Sequence, residues 1–227
     1  MNGVDALPLV LLGALLGLDV VSFPQAMISR PIVAATLGGA MVGNASDGLM
    51  VGAALELIAL ETLPFGASRY PEWGSAAVVG GALFALQTEG RVGALSLAVL
   101  AALATGWVGG YSMVILRRLN ARWARVHMED VAAGSRRAVV GLQLAGLAAD
   151  FVRGALMTAL ALALLMPTVT GALRIWSTDE RVARAVVVGL TATVATAAVW
   201  KLFHAVPRAR WLFAAGLAVG GAMLVAR

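Results

Sequence analysis

The chain contains no cysteine, only two histidines and two tyrosines, and few charges: 13% of its 227 residues are Asp, Glu, Lys or Arg. Without thiols there are no disulfides, no cysteine nucleophile and no cysteine-based metal site, and the redox compartment is unreadable. His127 and His204 fall in separate basic stretches without a second His or Cys nearby, which argues against a metal centre. No HExxH, no GxxxxGKS/T phosphate loop and no Asp-rich diphosphate motif occurs. Nothing reads as a catalytic set, no cofactor is called for, and a membrane-embedded enzyme is the weakest class of function.

What is present is apolar. Hydrophobic residues make up 60% of the chain, and the mean hydropathy is +0.88, well outside a soluble domain's range of roughly 45–50% apolar. The expected fold is an all-α integral membrane protein: a multi-span helix bundle forming one transmembrane domain over residues 1–227. The net charge of +5 invites a nucleic-acid reading. The basic residues, however, cluster between apolar stretches as juxtamembrane anchors do, so the expected surroundings are a lipid bilayer and no nucleic acid. Asp5 stands where a cleavable signal would be positive, and the first apolar run reads as a retained segment.

Crossing about 30 Å of hydrocarbon takes about 20 apolar residues. Residues 6–23 nearly meet this, with Asp19 inside the run. Residues 31–43 are too short and open on Pro31, residues 48–63 carry two glutamates, and residues 75–88 are short again. These predict broken or re-entrant helices in the N-terminal region 1–116, tolerated only where their backbone is buried in protein or lines a cavity. Residues 92–116 are the best single span. The stretch 117–137 carries six arginines against Glu129 and Asp130, with Leu119, Trp123 and Val126 in an apolar stripe. It predicts a cytoplasmic, interfacial amphipathic helix. The C-terminal region 138–227 holds spans at 138–171, 185–199 and 211–226, with a second basic loop at Lys201 to Arg210. Glycines such as the Gly13/Gly17 pair predict close helix approach and a larger assembly.

Ionisable residues inside a membrane usually face a cavity or a partner charge. Here they are Asp19, Arg30, Glu56, Glu61, Asp150 and Arg153. On a continuous helix Glu56 and Glu61 lie about 140° apart and share no face. Glu56 is the better cavity candidate, either as an acceptor for a polyhydroxylated ligand or in an ion pair with Arg30 or Arg69. Glu61 sits near the break at Pro64. The loop beyond brings Arg69, Tyr70, Glu72 and Trp73 together, a mixture of donors, acceptors and aromatic faces that suits sugar recognition and also suits a membrane interface. Asp150 and Arg153, three residues apart on a helix, can pair with each other.

The segments "SRPIVAATLGGAMVGNASDGLMVGAALELIAL" and "LPFGASRYPEWG" resemble the membrane subunit IIC of the mannose/fructose/sorbose-type sugar phosphotransferase systems. The correspondence is carried by Arg30-Pro31, Gly43-Asn44, Gly52 with Leu55-Glu56, and Gly66-Ala67 with Pro71-Glu72. It is ordered over residues 30–74 and looser elsewhere, with Arg153 also fitting the layout. Ser29 stands where sugar-transporting members often have His, and Asn44 where the turn usually has Asp.

The resemblance implies a multi-pass permease subunit of the bacterial inner membrane. It would bind a hexose-like sugar and assemble with a IID membrane subunit into a higher oligomer. Phosphorylation would fall to the cytoplasmic IIB subunit, itself charged by IIA, so the chain would not be an enzyme by itself. Glu56, Glu72 and backbone groups at Gly66 and Ala67 would meet sugar hydroxyls, and Arg30 and Arg69 would orient the carboxylates. Gln25, Asp19, Tyr70 and Trp73 are secondary candidates. The alternative is a proton- or ion-coupled carrier of a small polar solute, in which Glu56 or Asp19 titrates.

Overall fold

Polar turns and prolines cut the N-terminal third into short helices, whereas the middle of the chain runs on in long ones. The computed structural model describes residues 3–60, 69–87, 91–175 and 208–225, with scattered residues between 179 and 200. In chain order the helices are α1 (Gly3–Asp19), α2 (Pro31–Met41), α3 (Ala45–Ala59), α4 (Trp73–Ala85), α5 (Arg91–Val126), α6 (Met128–Ala132), α7 (Arg136–Arg174) and α8 (Ala209–Val225).

Pro31 starts α2 at the position where its missing N–H costs nothing. The Asn44 side chain caps α3 by accepting from the Asp47 N–H. At 11 residues α2 is about 17 Å long, roughly half a membrane span. The re-entrant expectation therefore matches in length. Asp19, however, is not inside a span: it is the last residue of α1.

α4 is the centre of the molecule. Its sequence, WGSAAVVGGALFA, is small or apolar on every side, and it is buried from Trp73 through Phe84. Around it pack α1, α2, α3, α5 and α7. Small residues set the spacing. A Cβ on Gly13 would collide with the Thr158 hydroxyl of α7, so the Gly13/Gly17 pair joins α1 to α7 within this chain. A side chain at Gly38 would likewise strike the backbone of Val78.

Among the described residues, two helices, residues 93–126 and 136–174, are long and apolar enough to cross a membrane. The stretch 117–137 is not a separate interfacial helix. No Gly or Pro stands between Tyr111 and Val126, and Arg, Leu and Ala favour helix, so α5 continues through Val126. The chain then turns through α6, takes a left-handed φ of 74° at Gly134, and starts α7 with Ser135 as cap. Val126 is 80% exposed, so the predicted stripe is not buried along its length. The span expected at 185–199 lies mostly outside the described residues, and α8 matches the one expected at 211–226.

Candidate functional site

A cavity of about 300 Å³ opens where the 20–30 loop passes between the end of α1, the start of α2, the end of α3 and the start of α4. Its polar lining is Asp19, Gln25, Ser29 and Arg30, and its apolar lining includes Met27 and Trp73. The loop is organised around Asp19, whose two oxygens accept from the Ala26 N–H at 2.6 Å and the Ser29 N–H at 2.8 Å. The Ile28 backbone and the Ser29 hydroxyl also bond to this carboxylate, so its roughly four acceptor positions are occupied by the loop itself, and Asp19 serves to hold the loop's shape. Gln25 and Met27 adopt φ of 58° and 62°, a region that costs non-glycine residues energy and tends to occur at functional loops. The Gln25 amide donates to the Val21 carbonyl.

Arg30 and Glu56 meet at the edge of this cavity. Arg30 Nε donates to Glu56 Oε1 at 2.7 Å, and Nη2 closes on the same oxygen. Glu56 Oε2 accepts from the Ile32 N–H at 3.2 Å. The ion-pair reading of Glu56 is therefore realised, and with Arg30 rather than Arg69. Both side chains remain partly accessible, at 27% and 19%. The pair fixes the guanidinium against the cavity while leaving it within reach of solvent.

Glu72 and Trp73 are chain neighbours that face different places. Trp73 lines the cavity. Glu72 is fully buried, caps α4 through the Ser75 N–H at 3.1 Å, and points toward α5 and α7. There Arg153 Nε donates to Asp150 at 2.8 Å, and its Nη1 reaches Ser112 Oγ at 3.3 Å and lies 3.9 Å from Glu72 Oε2. Two buried carboxylates thus share one buried guanidinium. The Asp150–Arg153 pair was legible from its spacing; its link to Glu72 was not.

This cluster touches the cavity loop through Ser22, whose hydroxyl donates to Asp150. Ser22 was missed in the sequence, as were Ser29 and Met27 as lining residues. The only local signal was the unusual "PQAMISRP" run that contains Gln25. Arg69 and Tyr70 lie away from the cavity lining. Arg69 is exposed and stacks over Trp107 at 5.0 Å and Tyr111 at 6.0 Å, while the buried Tyr70 ring faces Arg117 at 5.5 Å. Glu61, Pro64, Gly66 and Ala67 lie outside the described residues.

Comparison with known proteins matches this layout to one family. Among solved structures, one described as a membrane protein aligns over 100% of this chain and 95% of its own, with 18% identity and a TM-score of 0.72. A cryo-EM structure of the mannose transporter ManYZ in complex with microcin E492 aligns over 97% of this chain and 87% of its own, with 16% identity and a TM-score of 0.63. At such identities these likenesses establish the fold. No curated protein sequence matches the chain. A family model described as the sorbose-specific IIC component of the phosphotransferase system matches residues 4–179. Since that match spans most of the all-helical fold, including the cavity loop, the Arg30–Glu56 pair and the Asp150–Arg153 cluster, the chain belongs to the sorbose-specific IIC family of phosphotransferase-system components.

Proposed function

We propose that the chain is the sugar-binding permease subunit of a mannose- or sorbose-type phosphotransferase system in a bacterial cytoplasmic membrane, and that the cavity beside Asp19 takes a hexose-like sugar. The observation that carries this reading is the convergence of Asp19, Gln25, Ser29, Arg30 and Trp73 on one cavity of about 300 Å³. That volume falls at the small end of ligand pockets, roughly 300–1,000 Å³. Each group has a part in sugar recognition. The Asp19 carboxylate holds the loop that presents the other groups, the Gln25 amide both donates and accepts, the Arg30 guanidinium donates, and the Trp73 ring packs on the apolar face of the sugar.

Glu56 holds Arg30 in register, and Glu72 acts from behind by fixing the first turn of α4, which carries Trp73. Gly66 and Ala67 stay in the proposal on the strength of the family motif, and Arg69 as a rim cation stacked on its aromatic partners. In this reading a IID subunit completes a larger oligomer. IIB, charged by IIA, phosphorylates the sugar as it emerges, so the chain moves substrate and leaves phosphoryl transfer to its partners.

The test is binding of a panel of radiolabelled hexoses and hexitols to the purified chain with its IID partner, followed by uptake in cells with and without IIB. One sugar of the panel is expected to bind, with affinity falling about 10-fold or more in Gln25→Ala and Trp73→Ala, as expected for loss of an orienting pocket contact. Binding unchanged in both variants and in Glu56→Gln would refute the site. Uptake that persists without IIB and collapses with the proton gradient would instead favour the ion-coupled carrier, with Asp19 as the buried carboxylate on the path.

A further inference from the structure

The tip of the α5–α6–α7 hairpin carries a second cavity, unconnected with the sugar site. It measures about 610 Å³ and lies in the cleft between the last turns of α5 and the first turns of α7. Trp123, His127, Ser135 and Arg137 line it together with one acid, Asp130, and Gly141, Leu142 and Ala145 supply an apolar floor. Polar groups therefore gather toward the tip, and apolar ones descend along α7.

The register of the two helices shows why this arrangement is unusual. Asn120 of α5 lies beside Gly146 of α7, and Ser112 lies beside Arg153. Residues 138–149 of α7 therefore run alongside the part of α5 that follows Leu116. That part of α5 holds Arg117, Arg118, Arg122 and Arg125, while the facing turns of α7 are apolar and outward-pointing, with Val139, Val140 and Leu144 exposed at 47%, 42% and 60%. The stretch 138–173 of α7, apolar apart from Asp150, Arg153 and a few uncharged polar residues, is about 54 Å long, far beyond the ~30 Å of hydrocarbon. Its first turns thus carry apolar surface to the level where the neighbouring helix carries guanidinium groups.

A ligand fitting both must have an anionic head and an apolar tail. We infer that this cleft is a binding site for an anionic phospholipid, with the phosphate at the Arg137 end and an acyl chain along Gly141, Leu142 and Ala145. Arg137 offers a planar fork of donors that suits a phosphate. The hairpin from 117 to 137 holds six arginines against two carboxylates, and basic pockets between helices at a membrane surface select anionic headgroups. His127 has Nδ1 at 3.0 Å from the Trp123 carbonyl, which leaves Nε2 for the headgroup. The Trp123 indole sits where aromatic rings favour the headgroup layer. Asp130 opposes a second negative charge in the cleft, which suits one phosphodiester better than a phosphomonoester.

The experiment uses the full chain reconstituted in vesicles and reads the fluorescence of Trp123 as wild type minus Trp123→Phe. Quenchers are bromine-labelled phosphatidylglycerol and bromine-labelled phosphatidylcholine. Phosphatidylglycerol is expected to quench at a mole fraction lower by roughly 10-fold, given the strength of Arg–anionic lipid attraction. The exposed pair Arg136→Gln/Arg137→Gln should erase the preference, and Arg118→Gln/Arg122→Gln, whose side chains do not line the cleft, should keep it. Equal quenching by the two lipids overturns the proposal. So does equal loss in both double variants, which would mean diffuse surface charge, and so does displacement by soluble glycerol phosphate, which would mean a free-anion site. A cleft with no lipid preference that loses a cytoplasmic subunit in Arg136→Gln/Arg137→Gln belongs to a protein partner, which also overturns it.

Discussion

Ser22, on the loop that walls the proposed sugar cavity, donates a hydrogen bond to Asp150, 128 residues further along the chain. The loop is therefore tied to α7 as well as to its own helix end. Ser22→Ala removes that tie and leaves Asp150 its arginine. A hydrogen bond to a charged group is worth about 1–2 kcal/mol, so the melting temperature should fall by roughly 2–8 °C and sugar affinity about 10-fold with it. Binding and thermal unfolding measured on the same sample check this. An unchanged affinity would show that the loop keeps its shape without the tie.

The Arg30–Glu56 pair makes a prediction about coupling. Either single change, Arg30→Gln or Glu56→Gln, leaves a half-buried charge without its partner and should destabilise by about 1–3 kcal/mol. The double variant should be less destabilised than the sum of the singles, because no orphan charge remains. Sugar binding should stay lost in the double variant, since the guanidinium itself is gone. A double-mutant cycle on melting, read beside a binding isotherm, separates the two contributions.

The membrane class, the short early helices and the long middle ones were legible because each rests on run length and composition. Pro31 announces a helix start, and no Gly or Pro stands between Tyr111 and Val126 to stop α5 where the arginines begin. The bounds read at 117–137 differ for the same reason: a change in charge marks a change of surroundings, whereas a helix ends where the backbone is broken, so α5 carries the stretch as far as Val126. Among the site residues, Arg30 and Glu56 stood out as charges in apolar sequence. Their pairing followed from the packing of α2 on α3 and could not be chosen over Arg69 beforehand. Ser22 gave no signal, because a serine in a loop is ordinary until its partner is known, and Ser29 stood out only as a departure from the family pattern. Glu72 and Trp73 were read as one group, and only the three-dimensional course of the chain turns them apart.

The buried cluster on α4 and α7 should be stringent. Arg153→Met leaves Glu72 and Asp150 facing each other with no cation, a loss of about 3–5 kcal/mol by the usual cost of breaking a buried pair. Little folded protein should accumulate. The triple variant Glu72→Gln/Asp150→Asn/Arg153→Met removes every charge and should recover much of the yield. A sharp peak on size-exclusion chromatography for Arg153→Met alone would contradict this account.

The seam between α1 and α7 makes a steric prediction. Gly13→Val places side-chain atoms where the Thr158 hydroxyl lies and should cost about 1–3 kcal/mol through overpacking. Adding Thr158→Ala removes the nearest obstructing atom and should return part of the loss. Melting temperatures of the single and double variants in one detergent decide it.

Glu72 and Trp73 occupy adjacent positions, their Cα atoms about 3.8 Å apart as in any trans peptide, yet one serves the interior and the other lines the cavity. In the proposed reading, the aromatic wall cannot be retuned by shifting the start of α4 without also disturbing the buried charges around Arg153, whereas Gln25 and Met27 can be exchanged without touching that cluster.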